Sequence, residues 1–266
     1  MSTSPVILIT GASSGIGEAT ARLFGKQGYR VVLAARRLER LESCARDIHA
    51  TGGQAHPIAA DVTDPEHIQR MVEGTLEQFG QIDILFNNAG FGRLGWLESL
   101  DPVKDIEEQL KVNLLAVIQV TRQVLPYMIA RRSGHIINMA SIGGLVATPT
   151  YTIYAASKFA VRGFSEALRR EVGVYGIKVS AIYPGGVKTE FSHHTGAKRK
   201  TGATTPASLK LSPEQVAEAV LSVVKRPRRG LIIPWPMRAT VWLNGLAPGL
   251  VDWIIERRFV RPERGL

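Results

Sequence analysis

Strand-like and helix-like stretches alternate along almost the whole chain, and that alternation restricts the fold more than any single residue does. Short apolar runs at residues 6–10, 30–35, 54–60, 83–87, 135–140, 178–183 and 230–234 have the near-continuous apolar character of parallel strands covered on both faces. Between them lie segments of helical periodicity at 15–27, 38–50, 65–79, 102–131, 151–174 and 213–225. Asp101 before Pro102 and Ser212 before Pro213 each read as an N-cap with proline in the first helical position. The pattern predicts an α/β architecture: a doubly wound, mostly seven-stranded parallel sheet with helices on both faces. With 266 residues and no internal repeat, residues 1–235 read as one domain, followed by an amphipathic helical extension over 236–266.

Composition narrows the setting. The single cysteine, Cys44, excludes an internal disulfide; it sits in a helical segment without neighbouring ligand residues and reads as core filler. The apolar run at 6–9 is too short for a signal peptide, and nowhere do about 20 apolar residues follow one another. A cytoplasmic protein is expected. The net charge is +10, and its excess is concentrated in residues 225–266, where nine basic side chains meet three acidic ones. Such a tail can favour nucleic acid or an anionic membrane surface, but it carries no chemistry.

The turn from the first strand into the first helix is Thr10-Gly11-Ala12-Ser13-Ser14-Gly15-Ile16-Gly17. Glycines there let the backbone approach a pyrophosphate, and the helix N-terminus offers N–H groups with partial positive charge. The context, a first βα unit followed at once by a second strand, makes this a dinucleotide site. The second strand ends in Ala34-Ala35-Arg36-Arg37, without the acid that would hold a ribose 2′-hydroxyl. A guanidinium can fork onto a 2′-phosphate. NADP(H) is therefore the expected cofactor, with Arg36 as principal contact and Ser13 or Arg37 assisting.

Tyr154 and Lys158 stand at i and i+4 on one helix face. A phenol titrates near pH 10, and a neighbouring cation favours its ionised form, so the pair suits proton exchange. Ser141 ends the preceding strand at the carboxyl edge of the sheet, where its hydroxyl can donate to a substrate carbonyl. Asn87-Asn88-Ala89-Gly90 ends the fourth strand at the same edge, and Asn113 lies in the long helix after it.

Taken together and in this order, TGASSGIG, Asp61-Val62, NNAG at 87–90, Asn113, Ser141, YAASK at 154–158 and Pro184-Gly185-Gly186-Val187-Lys188-Thr189 resemble the short-chain dehydrogenase/reductase family over roughly residues 5 to 235, with no departure from its pattern. The resemblance implies a Rossmann-like fold and a homodimer or homotetramer. It implies Tyr154 as general acid in reduction and general base in oxidation, with Lys158 lowering its pKa and binding the nicotinamide ribose. Ser141 would orient the carbonyl, and Asn113 would hold a water linking Lys158 to solvent. Around the cofactor it implies Asp61 and Val62 at the adenine, and Asn88, with Ala89 and Gly90, near the adjacent ribose. The loop of Pro184, Gly185, Val187 and Thr189 would lie at the carboxamide.

The expected function is NADPH-dependent reduction of a ketone or aldehyde with an apolar portion. The competing reading is a non-catalytic NADP-binding sensor whose basic tail contacts nucleic acid or a partner; for the enzyme no nucleic acid is expected. Residues 191–212, rich in Gly, Thr, Ala and Lys around 193–209, read as a substrate lid. Within them His193-His194 lacks companion ligands, so no metal is expected. Lys198-Arg199-Lys200 suits either an anionic substrate or a solvated loop. Pro126 predicts a local kink, and Lys225–Arg229 a solvated turn. The tail segments 237–246 and 249–259 have three readings: packing on the domain or a sister subunit, an in-plane membrane helix, or a wall of the substrate pocket.

Overall fold

The computed structural model describes residues 4–190 and 206–266. Seven parallel strands form a single sheet: β1 (Val6–Thr10), β2 (Arg30–Ala35), β3 (Gln54–Ala59), β4 (Ile84–Asn87), β5 (Gly134–Met139), β6 (Ile177–Pro184) and β7 (Gly230–Ile233), in the order β3-β2-β1-β4-β5-β6-β7. Each boundary lies within one residue of the sequence expectation. The chain crosses over between β1 and β4, so a crevice opens at their carboxyl ends. Alternate residues of β1 face opposite layers. Ile7 and Ile9 pack with Phe24, Leu33, Leu41 and Val220, whereas Val6 and Leu8 pack with Met71, Leu85, Val124 and Met128. Burial on both faces is what the unbroken apolar strands required.

Helices α1 (Gly15–Lys26), α2 (Leu38–Ala50) and α3 (Pro65–Phe79) follow the first three strands. Asp64 caps α3 by accepting from Glu66 and His67 main-chain N–H groups, and Gly80 ends it in the left-handed region. α5 (Thr152–Val172) carries the Tyr154–Lys158 pair, and α6 (Pro213–Lys225) starts on a complete Ser212–Gln215 capping box.

The long helix α4 (Pro102–Arg131) departs from the regular α-helix expected. It opens as a π turn over Pro102–Glu107, passes through a short α segment, widens again over Lys111–Leu115, and is regular from Ala116 through Pro126 to Arg131. Composition alone would let Pro102–Arg131 cross a bilayer. Its Val120, Val124 and Met128 are instead buried against the sheet, which makes it a core helix.

After β7 come α7 (Met237–Leu246) and α8 (Pro248–Ile255), a π turn over Glu256–Val260, and the short α9 (Arg261–Arg264). None of these elements contains a buried residue. Residues 191–205, most of the stretch read as a lid, including His193, His194 and Lys198–Lys200, lie outside the described residues.

Candidate active site

A cleft of about 1900 Å³ runs along the carboxyl edge of the sheet, from the glycine turn to the N-terminal part of α5. The glycine turn is shaped by positive φ at Gly11 (67°) and Gly15 (57°), a region open to glycine at little cost. A side chain at Gly11 would meet the Ala89 Cα at 2.8 Å, and one at Gly17 would collide with the Gly11 carbonyl oxygen. Asn88 braces the same turn: its Nδ2 donates to the carbonyls of Thr10 (3.0 Å) and Gly11 (3.2 Å). Thr10 Oγ1 in turn accepts from the N–H groups of Asn88 and Ala89. Ser14, at the N-cap of α1, makes no side-chain bond to the first helical turn, which leaves that positive terminus to whatever lies in the cleft. A backbone cradle at a helix N-terminus, in a cleft that runs on from it to Tyr154, fits a dinucleotide.

Gly11, Ser13, Ser14, Gly15 and Ile16 line the cleft, with Arg36 and Arg37 at the end of β2 and Asp61 and Val62 after β3. Asn88, Ala89 and Gly90 line its middle; Pro184, Gly185, Val187 and Thr189 line the far wall. Gly17 lies behind the turn. Asp61 Oδ1 accepts from Thr63 N–H (2.9 Å) and Oγ1 (2.8 Å), which fixes the carboxylate at the bend. The Val187 loop is pinned by Lys188 N–H donating to Leu211 and Leu211 N–H donating to Gly186, both at 2.9 Å. The guanidinium of Arg37 donates to Ser14 Oγ at 2.8 Å and to Ser13 Oγ at 3.1 Å, and reaches the Glu190 carboxylate at 3.4 Å. Arg37, expected as an assisting residue, thus bridges the glycine turn and the loop after β6, while Arg36 lines the cleft beside it. Glu190 was missed altogether, because its nearness to Arg37 depends on the return of the loop after β6.

The reacting end is buried. Tyr154, Lys158 and Ser141 line the cleft at exposures of 9%, 4% and 8%. Ser141 and Tyr154 meet across Gly143, where a Cβ would sit 3.6 Å from Ser141 Oγ and 3.4 Å from Tyr154 Cε1; Ser141 Oγ accepts from the Gly143 N–H at 3.1 Å. Lys158 Nζ donates to the Met139 carbonyl at 3.0 Å and stands 5.7 Å from the centre of the Tyr154 ring. Burial pushes the phenol up to about 12, against the pull of nearby Ser141, and pushes Lys158 down to about 8. A phenol drawn toward neutrality by its helical neighbour is therefore not what the protein alone displays. Desolvation is the largest cause at both groups, and the ammonium turns to the Met139 carbonyl.

Asn113 is fully buried behind the cleft. Its Oδ1 accepts from Phe91 N–H (3.0 Å), and its Nδ2 donates to the Phe91 carbonyl (2.8 Å) and to Ser157 Oγ (3.4 Å). This reach across to the β4 loop coincides with the π turn of α4. Gly90 lies between: a Cβ there would sit 3.0 Å from Asn113 Oδ1 and 3.6 Å from Lys158 Nζ. Thr150, just before α5, holds φ 68°, a strained conformation for a β-branched residue; no sequence signal betrayed it.

A family model described as short chain dehydrogenase matches residues 5–200. The dehydrogenase/reductase SDR family protein 7-like of Anopheles gambiae is 38% identical over 265 residues, covering 95% of this chain and 82% of that protein. Among solved structures, a short-chain dehydrogenase/reductase from Burkholderia phymatum in complex with NAD superposes with a TM-score of 0.84 at 28% identity, covering 94% of this chain and 96% of that one. A short-chain dehydrogenase from Sphingobium yanoikuyae in complex with NADPH gives 0.79 at 30% identity, covering 93% and 95%.

Proposed function

This chain belongs to the short-chain dehydrogenase/reductase family, and on that premise we propose that it is an NADPH-dependent reductase of ketones or aldehydes bearing a substantial apolar part. Its family and its NAD- and NADPH-bound structural neighbours make it an oxidoreductase that uses a nicotinamide dinucleotide. What supports carbonyl reduction with NADPH is the meeting of buried Ser141, Tyr154 and Lys158 in a cleft continuous with the glycine turn and with Arg36 and Arg37.

The dinucleotide, when bound, supplies or accepts a hydride at the nicotinamide C4. Gly11, Ser13, Ser14, Gly15 and Ile16 would hold its phosphates, Arg37 with Arg36 its 2′-phosphate, and Asp61 and Val62 its adenine. Ala89 and Gly90, backed by Asn88, would floor the ribose; Pro184, Gly185, Val187 and Thr189 would hold the carboxamide. At the substrate, Ser141 donates to the carbonyl oxygen and polarises it, a kind of contact worth about 10²–10³ in rate. Tyr154 gives its phenolic proton to that oxygen in reduction and takes it back in oxidation. Its high intrinsic affinity for the proton keeps it protonated and ready to donate. Lys158 holds the ribose hydroxyls and stabilises the phenolate left behind. Asn113, with its amide committed to Phe91 and Ser157, acts through the widened turn, where a main-chain carbonyl can take a water that leads protons to Lys158.

Phe91, Leu94, Val146, Tyr151, Ile255 and Phe259 wall the cleft beyond Tyr154, which supports an apolar substrate. Exposed Leu115 and Tyr127 on α4 and Phe159 on α5 offer a face to a second copy, in keeping with a homodimer or homotetramer. A non-catalytic sensor is not favoured, because it has no physical need for a buried Ser–Tyr–Lys set. The test is NADPH and NADH oxidation over a panel of carbonyl compounds. Turnover with at least one apolar ketone or aldehyde, faster with NADPH, is expected; no turnover with any of them refutes the reading.

A further inference from the structure

Three of the four tryptophans lie in the last 32 residues, and all three are exposed: Trp235 at 75%, Trp242 at 67% and Trp253 at 51%. Leu243, Leu246, Leu250 and Ile254 accompany them, Leu246 at 76%. The exposure is sided. Val241, Ala247, Val251, Ile255 and Phe259 are half-buried toward the body of the protein. Trp242, Leu243 and Leu246 follow i, i+1, i+4 on α7, and Leu250, Trp253 and Ile254 follow i, i+3, i+4 on α8, the spacing of one helix face. Apolar side chains in such number, left in water, form a docking surface rather than scattered exposure.

Charge selects the occupant. The extension itself, residues 237–266, carries five basic and three acidic side chains; Arg261 pairs with Glu256 and Arg264 with Glu98, while Arg257 lies 4.8 Å over the Trp253 ring and Arg258 follows it. Two copies joined through this face about a two-fold axis would bring like-charged segments together. An anionic bilayer is complementary instead: arginines meet headgroups while tryptophan and leucine enter the headgroup–acyl boundary. We propose that α7 and α8 seat the protein on an anionic phospholipid surface through Trp242, Leu246, Leu250 and Trp253, with Arg257 and Arg258 against the headgroups. The inner side of the same segment supplies Ile255 and Phe259 to the catalytic cleft; Phe259 packs on Trp96, and Arg264 pairs with Glu98. Docking thus brings the cleft mouth beside the lipid. The proposal stands independently of the catalytic reading.

The test uses the full-length protein with vesicles of phosphatidylcholine mixed with phosphatidylserine, and with vesicles of phosphatidylcholine alone. Flotation with the mixed vesicles at low salt, release at high salt, and quenching of tryptophan fluorescence by brominated acyl chains are expected. W242S/L246S/W253S should abolish flotation while leaving the circular dichroism spectrum and thermal midpoint unchanged. R257Q/R258Q should weaken it by about thirtyfold, at roughly fivefold per arginine near an anionic surface. Failure to float at low salt, or equal binding to both vesicle types, overturns the proposal. So does a serine variant that turns a solution oligomer into monomers while vesicles leave the wild-type tryptophan fluorescence unquenched, since the face then belongs to a second copy.

Discussion

The ammonium nitrogen of Lys158 donates to the carbonyl oxygen of Met139 at 3.0 Å. Met139 is the last residue of β5, two positions before Ser141, so one strand end positions both the lysine and the serine that converge on Tyr154. The ammonium is buried and loses hydration on folding, which pulls its pKa down to about 8.

That depressed value has a stability consequence of definite sign. Between about pH 8 and pH 10.4, the unfolded chain keeps the Lys158 proton while the folded protein has lost it, so stability rises with pH across that window. Below pH 8 the burial cost is fully present. The difference in urea midpoint between K158M and wild type, measured at several pH values without cofactor, should therefore favour K158M most below pH 8 and shrink toward pH 10. A pH-independent difference would contradict the burial of the charge.

Replacing Ser141 by Ala removes a hydroxyl that neighbours Tyr154 and caps the turn at Gly143. Turnover is expected to fall by about 10²–10³, and stability by about 1 kcal/mol. Without the pull of Ser141 the phenol is harder to ionise, so the ascending, low-pH limb of the oxidation pH profile should move to higher pH. S141T should restore much of the rate. A rate loss with no pH displacement would place the effect in packing alone.

Arg37 and Glu190 make the cofactor preference testable. The carboxylate shares the guanidinium with Ser13 and Ser14, the ground we assign to a 2′-phosphate. Because the ion pair is half exposed, its removal is worth at most about fivefold. E190Q should tighten NADPH by up to that factor and leave NADH unchanged, by titration of cofactor fluorescence. R37A should weaken NADPH by about tenfold to a hundredfold, with NADH little affected. If R36A rather than R37A carries the loss, the order read from the sequence stands.

Gly17 supports the cradle without lining the cleft. G17A would drive a methyl group into the Gly11 carbonyl and to 2.7 Å from Asn88 Nδ2. We expect a loss of about 1–3 kcal/mol in stability and more than about tenfold weaker dinucleotide binding by fluorescence titration, since 1.4 kcal/mol is a factor of ten. Wild-type affinity in G17A would show that the turn adapts freely.

The sheet was legible because each strand is bounded by a turn or a cap whose chemistry is local. Asp101 and Ser212 cap the helices they announce, and the apolar strands admit burial on both faces only. Tyr154, Ser141 and Lys158 were legible as a set because their spacing brings them to one edge. What was not legible depends on distant pieces. The π turns of α4 accompany the grip of Asn113 on Phe91, 22 residues away in sequence. The Arg37–Glu190 contact spans 153 residues. The direction of the Tyr154 shift depends on depth of burial, which helical spacing does not encode. The tail announced two helices, but only the fold shows that their apolar faces stay in water.

The central claim is that the Tyr154 phenol delivers the proton. Single-turnover oxidation of bound NADPH by a carbonyl substrate in Y154F tests it most directly, alongside the NADPH dissociation constant. The account predicts a rate lower by about 10²–10⁴ with cofactor affinity within about twofold of wild type, well inside the 1.4 kcal/mol that a tenfold change represents. A Y154F enzyme that reduces the substrate at the wild-type rate would contradict it.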